Sequence, residues 1–164
     1  MEDANIPPIH SRSRNRLPRN EVPMKVVFVC TGNINRSAAG EMILRTYRPD
    51  WVITSCATNR KAGKPMSKKM RDLLSDIGID GSQHRSRALS EEILADADVV
   101  FGFQPSHIDA VTQLGYTATP IVQIANSRYA DWHKVPDPAF DSTGNTHKQV
   151  VRFLIDTLER FAYA

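Results

Sequence analysis

Short unbroken apolar runs take turns along this chain with stretches of helical period. Residues 25–30, KVVFVC, form a β-branched run that begins after Pro23 and stops at Thr31-Gly32-Asn33, as expected of a strand buried on both faces of a parallel sheet. From Ser37 the apolar positions Ala38, Ala39, Met42, Ile43, Leu44 and Tyr47 follow a helical period that Pro49 ends. Residues 51–56 predict a second strand. Residues 67–77 predict a helix with Met70, Leu73, Leu74 and Ile77 on its apolar face and Gly78 at its end. Ser90 is placed to cap a short helix with Glu91 and Glu92 in its first turn, where carboxylates meet the positive end of the helix dipole. A third strand over 99–103, a helix over 106–114 and a fourth strand over 119–124 follow. The last helix, 146–163, sets Val151, Leu154, Leu158 and Phe161 in one stripe. This alternation predicts a single α/β domain over residues 24–164, a four-stranded parallel sheet with helices on both faces. Residues 1–23 mix prolines with polar and Arg residues, show no apolar period and read as a flexible basic tail.

Composition narrows the class. Of the 164 residues, 41% are hydrophobic and 24% charged, as in soluble globular domains, and no apolar run nears the roughly 18 residues of a membrane span. The first 24 residues hold Arg12, Arg14, Arg16 and Arg19 but no apolar segment, so no secretory signal is read there and a cytoplasmic location is expected. Cys30 and Cys56, the two cysteines, are too few for a disulfide framework or a four-Cys zinc site. A conspicuous cysteine is then a candidate nucleophile. The five histidines show no metal-ligand spacing; His84 and His107 read as structural or surface residues, and neither metal nor organic cofactor is expected. The net charge of +3 is uneven: residues 57–90 carry eight Lys and Arg against three Asp and Glu, residues 91–164 five against ten. A cationic stretch beside a site draws anions. No nucleic-acid recognition motif accompanies it, so neither nucleic acid nor membrane is an expected partner, and the chain is expected as a monomer or weak homodimer.

The chemistry is expected beyond the carboxyl end of the first strand, where ligands of open parallel sheets bind. There the strand hands over to Cys30-Thr31-Gly32-Asn33-Ile34-Asn35-Arg36-Ser37, and a helix follows. Cysteine six positions before arginine says little alone. In this setting, Gly32 permits a tight turn, the loop aims backbone N–H groups at one point, and the helix presents its N-terminus there, together a nest for a tetrahedral oxyanion. The N–H groups, the helix end and the Arg36 cation all favour Cys30 as a thiolate. The planar fork of Arg36 matches two phosphoryl oxygens.

The stretch VVFVCTGNINRSAAGE resembles the signature of the low-molecular-weight protein tyrosine phosphatases, with the same element order over roughly residues 25–162. The resemblance implies a phosphomonoester hydrolase working through a phosphocysteine at Cys30, most readily on phosphotyrosine in a protein substrate. It implies that Asp137, in Val135-Pro136-Asp137-Pro138, is the general acid, which calls for a bell-shaped, acidic pH profile. It assigns Asn33 and Ser37 to hydrogen bonds that hold the loop, and Ser55 to supporting Asn33; for Ser55 an ordinary polar role stands equally open.

The departures bear on substrate. Asn35 stands where the family commonly has a second cysteine; Cys56 could replace it in a disulfide with Cys30 if both side chains point the same way. Lys61 aligns with the aromatic wall of many relatives, and Ala139-Phe140 with a Tyr pair, leaving Phe140, with Trp132 or Tyr129, to stack on a phenyl ring. Lys61, with Arg60 and Lys64, would favour acidic residues near the phosphosite. Thr31 resembles phosphoarginine phosphatases, whereas Ile34, bulkier than their Thr, points to the tyrosine type. An arsenate reductase would need further cysteines, and none follows Cys56. A catalytically silent phosphate-binding or regulatory domain of the same fold remains the alternative of a different class.

Overall fold

The computed structural model describes residues 6–9 and 23–164. The predicted alternation is present as β1 (Lys25–Cys30), α1 (Arg36–Tyr47), β2 (Val52–Ala57), α2 (Lys68–Asp76), α3 (Glu91–Leu94), β3 (Val99–Gly102), α4 (Pro105–Gln113), β4 (Thr119–Pro120) and α5 (Asn145–Tyr163). The strands form one parallel sheet in the order β2-β1-β3-β4. Ser67 and Ser90 cap α2 and α3 by accepting from Met70 and Ile93 N–H.

Side chains of β1 alternate between two cores. Val26, Phe28 and Cys30 face α1, α2 and α5, packing with Ile43, Leu44, Met70, Leu74, Leu154 and Leu158. Val27 and Val29 face the other layer with Cys56, Leu94, Val100 and Val111. This two-faced burial is why the β1 run lacks polar positions. The chain leaves β1 toward one face and β3 toward the other, so the crevice between their carboxyl ends is a topological switch point. Gly102 closes this geometry: a Cβ there would meet Ile108 Cδ1 at 2.6 Å and His107 Cβ at 3.1 Å, so glycine lets the first turn of α4 approach the strand.

Three expectations are corrected. The fourth strand stops at Pro120, and residues Ile121–Ile124 form a 3-10 turn that buries Ile121. Proline brings no N–H to the ladder, and the chain turns inward there. The disulfide between Cys30 and Cys56 is excluded by register: Cys56 pairs with Val29 and Cys30 with Ala57, so the two thiols lie on opposite faces of the sheet. Both cysteines are free and buried. The tail reading fails at residues 6–9, where Ile6 and Ile9 pack against the core and Ile9 N–H donates to Ile77 O at 3.1 Å. The rest of that expectation, at residues 1–5 and 10–22, lies outside the described residues.

Candidate active site

Residues 31–35 turn between β1 and α1 around the Cys30 sulfur, which sits at the floor with 2% of the residue exposed. Asn33 adopts left-handed backbone, φ 56°, a conformation asparagine tolerates, and its N–H reaches Cys30 Sγ at 3.3 Å. Ser37 Oγ lies 2.9 Å from the same sulfur. The direction of that bond follows from its neighbours. Asn33 Nδ2 donates to Ser37 Oγ at 2.7 Å and to Ser55 Oγ at 2.8 Å, and Ser55 Oγ donates onward to Glu41 Oε1 at 2.7 Å. Ser37 therefore already accepts, and its own hydrogen is free to point at sulfur.

Residues remote in sequence hold this loop. Arg87 N–H donates to Asn33 Oδ1 at 3.0 Å, and His84 Nε2 donates to Asn33 O at 2.7 Å. Burial lowers the pKa of His84, which favours the neutral ring. Glu41 is fully buried, with Arg45 Nη2 at 3.1 Å and Arg87 Nη1 at 3.3 Å supplying opposite charge. Ser67 donates to Asn35 Oδ1 from its hydroxyl and to Ile34 O from its N–H, tying the loop to the start of α2. On the opposite side, Phe103 N–H donates to His107 Nδ1 at 3.1 Å, which leaves the hydrogen on Nε2, 3.0 Å from Thr31 Oγ1. Burial, then the Arg36 charge, pull His107 down to about 3.

Arg36 opens α1 and is 2% exposed. Its Nη1 donates to Gln104 Oε1 at 2.7 Å and to Val135 O at 3.0 Å, while Nη2 lies 3.6 Å from Asp137 Oδ2. Asp137, with 39% of its side chain exposed, caps the turn Pro138–Phe140 by accepting from Ala139 N–H at 3.0 Å. The loop, Asp137 and Phe140 line one cleft of 690 Å³, closed on a third side by Ser67, Lys68, Lys69 and His147. The cleft thus brings a buried thiol, a fixed guanidinium, a helix N-terminus and a half-exposed carboxyl to one place.

The chain matches the family model described as low molecular weight phosphotyrosine protein phosphatase over residues 25–164. It belongs to this family. Among its relatives, the low molecular weight protein-tyrosine-phosphatase Etp of Escherichia coli K12 is 28% identical over 116 residues, covering 69% of this chain and 76% of Etp. The crystal structure of the low molecular weight protein tyrosine phosphatase from T. tengcongensis is 30% identical with a TM-score of 0.72, covering 84% of this chain and 99% of that one. The structure of Vibrio vulnificus Wzb in complex with benzylphosphonate shares the fold, with a TM-score of 0.74 at 22% identity over 86% of this chain and 98% of that one.

This phosphatase-family cleft gathers residues 30–36, Asp137 and Phe140, with Ser37 against the Cys30 sulfur and Ser55 one hydrogen bond behind Asn33. The expected cationic rim is displaced. Lys61, Arg60 and Lys64 are exposed in the turn after β2 and do not line the cleft; Lys68 and Lys69 do. Tyr129 and Trp132 pack on each other and on Phe153, away from the cleft, so among the described residues Phe140, 98% exposed, is the one Phe, Tyr or Trp on the lining. Sequence reasoning missed Gln104, Glu41 and Arg87, and it read His84 and His107 as structural or surface residues without placing them at the loop. Gln104 and His107 carried a usable signal, since they follow β3 at the carboxyl edge beside β1. His84 and Arg87 lie in an irregular segment with no periodicity to read. Among the described residues, no three His, Cys, Asp or Glu side chains are grouped to hold a metal, and no helix is long and apolar enough to cross a membrane.

Proposed function

We propose that this chain hydrolyses phosphomonoesters, phosphotyrosine in proteins first among them, through a phosphocysteine at Cys30. The observation that carries the reading is the sulfur at the loop floor, met by Asn33 N–H and Ser37 Oγ, with Arg36 and Asp137 on one cleft. The Cys30 thiolate attacks phosphorus, and the bond from phosphorus to the ester oxygen breaks. The departing oxygen takes a proton from the Asp137 carboxyl. Arg36 and the loop N–H groups hold the equatorial oxygens as charge spreads over them. Asp137, now a carboxylate, takes a proton from water; that water attacks phosphorus, sulfur leaves as thiolate and inorganic phosphate is released. As Cys30 ionises, the Ser37 hydroxyl and Asn33 N–H donate to it, and Asn33, Ser55 and Glu41 keep Ser37 facing that way.

The cleft is wider than a phosphate and is flanked by Phe140, with an open ring face for an aryl ester, and by Lys68 and Lys69, which suit an acidic peptide. The test is hydrolysis of an aryl phosphate between about pH 4 and 8 with EDTA present, for the wild type beside Cys30→Ser. A bell-shaped activity absent from the mutant is expected. Folded wild type that is inactive on aryl, tyrosyl and arginyl phosphates alike would replace this reading with a phosphate-binding domain.

A further inference from the structure

Where the starts of α2 and α5 meet the loop, the cleft has a wall that the proposed reaction does not use. Asn35, Ser67, Lys68 and Lys69 line it, with Ser142 and His147. Two of these side chains are more than nine-tenths buried and keep hydrogen-bonding capacity that nothing in the fold takes up. Asn35 is 7% exposed; its Oδ1 accepts from Ser67 Oγ, which itself accepts from Met70 N–H at 3.3 Å. Ser67 thereby orients the amide, and among the described residues the two hydrogens on Asn35 Nδ2 have no acceptor. His147, in the first turn of α5, is 4% exposed, and its Nδ1 is buried without a hydrogen-bond partner. With Nδ1 shut in, Nε2 is the polar edge of the ring left to meet a ligand on the cleft.

From this geometry we infer that Asn35, Lys69 and His147 form a second oxyanion subsite beside the phosphoryl loop, which takes a carboxylate next to the phosphotyrosine of an acidic peptide. It rests on the phosphatase reading for the phosphoryl end of that substrate. Charge at the wall suits an anion. Lys68 Nζ is held by Asp72 at 2.6 Å, whereas Lys69 is in no salt bridge among the described residues and its charge reaches His147. Asp141, the carboxylate at this end of the cleft, is turned to other work: Oδ1 accepts from the N–H and hydroxyl of Thr143, and Oδ2 from those of Thr146, which caps the start of α5. The N-termini of α2 and α5 add their positive ends. The hydrogen-bonding pattern selects further. Lys69 Nζ and Asn35 Nδ2 are donors only, and His147 donates from Nε2 in the tautomer whose bare nitrogen is the buried Nδ1. A carboxylate accepts on both oxygens, whereas a carboxamide brings an NH2 group to a wall of donors.

The test compares two phosphotyrosine peptides that differ only in carrying Glu or Gln on both sides of the phosphotyrosine. Wild type should favour the Glu peptide in kcat/KM by about fivefold or more. Asn35→Ala and His147→Phe remove donors without changing charge, and each should cut that preference by about twofold or more; Lys69→Gln should cut it further. Equal kcat/KM for the two peptides in wild type overturns the inference. So does a preference that survives Asn35→Ala and His147→Phe and falls only in Lys69→Gln, since attraction by a distant charge needs no built subsite. Should Asn35→Ala fail to fold, NMR of Cys30→Ser replaces it: the Asn35 side-chain amide signals shift further with the Glu peptide than with the Gln peptide, and equal shifts overturn the inference. Calorimetry of both peptides on Cys30→Ser separates the two readings. Tighter binding of the Glu peptide there, with wild type hydrolysing neither peptide, would sink the proposed function and leave the subsite standing; hydrolysis of both at one rate would do the reverse.

Discussion

Asn33 Nδ2 spends its two hydrogens on Ser37 Oγ, at 2.7 Å, and Ser55 Oγ, at 2.8 Å, so one side chain ties β2 to the group that faces the Cys30 sulfur. Asn33→Ala leaves both hydroxyls to reorient and Arg87 N–H without its acceptor. It should lower kcat/KM for an aryl phosphate by about tenfold or more and cost roughly 1–3 kcal/mol of stability. Ser55→Ala removes one arm and the donor to Glu41, and should fall between wild type and Asn33→Ala. Steady-state kinetics beside chemical denaturation of the three proteins checks the order; equal kcat/KM in all three would mean that the network does not act on the sulfur.

Buried neutral histidines make stability depend on pH with a definite sign. Unfolded histidine takes a proton below about pH 6.5, whereas His107 in the fold holds off protonation to about 3. Between these values the unfolded chain binds more protons, so stability is present above about pH 6.5 and is lost as pH falls, by about 1.4 kcal/mol per unit for such a group. The lowered pKa values of His84 and His147 act in the same direction. Thermal melts should give a lower Tm at about pH 5 than at pH 7, and His107→Gln should flatten the dependence. An unchanged slope in that variant would contradict the assignment.

Cys56 is set apart from Cys30 by the sheet and pushed up to about 12 by burial and by its neighbour Cys30, so it stays a thiol. Peroxide should oxidise Cys30 without producing a disulfide between the two, as peptide mapping would show. Cys56→Ala should leave the rate of peroxide inactivation unchanged; a slower or faster rate would mean that Cys56 reaches Cys30.

Phe140 is 98% exposed, so its truncation removes little buried area. Phe140→Ala should change stability by no more than about 0.5 kcal/mol, yet reduce the preference for aryl over alkyl phosphates. Competition between the two ester classes measures it, and an unaltered ratio would remove Phe140 from substrate recognition.

The contact of Ile9 with Ile77 predicts that the N-terminal segment stabilises the domain. Ile9→Asp should cost about 1 kcal/mol and speed hydrogen exchange at the amide of position 9, which donates to Ile77 O at 3.1 Å. Exchange as slow as in wild type would mean that the segment does not dock in solution.

What the sequence disclosed divides along physical lines. β1 and its loop were legible because burial on both faces imposes an unbroken apolar run, and the abrupt change to Thr31-Gly32-Asn33 marks the end of the strand. The helices were legible from caps and period, as at Ser67 and Ser90. Strand register was not, since it depends on how α1 packs, and with it went the relation of Cys56 to Cys30. The rim was misplaced for a similar reason: Lys61 and Lys68 lie in one basic stretch, but only the turn at Ser67, bonded to Ile34 and Asn35, brings Lys68 to the cleft. Polar residues that act on the loop from afar, such as His84 and Glu41, look like any others until the fold buries them.

In the proposed reaction sulfur is the atom that receives the phosphoryl group. Asp137 is there the proton donor and the water-activating base, so in Asp137→Asn an intermediate formed from a reactive aryl phosphate should persist. The decisive measurement is mass spectrometry of that variant, quenched in acid after mixing with such an ester. One phosphoryl group on the peptide containing Cys30, absent from the Cys30→Ser double variant, is the predicted result; phenol release with no adduct on Cys30 would contradict it.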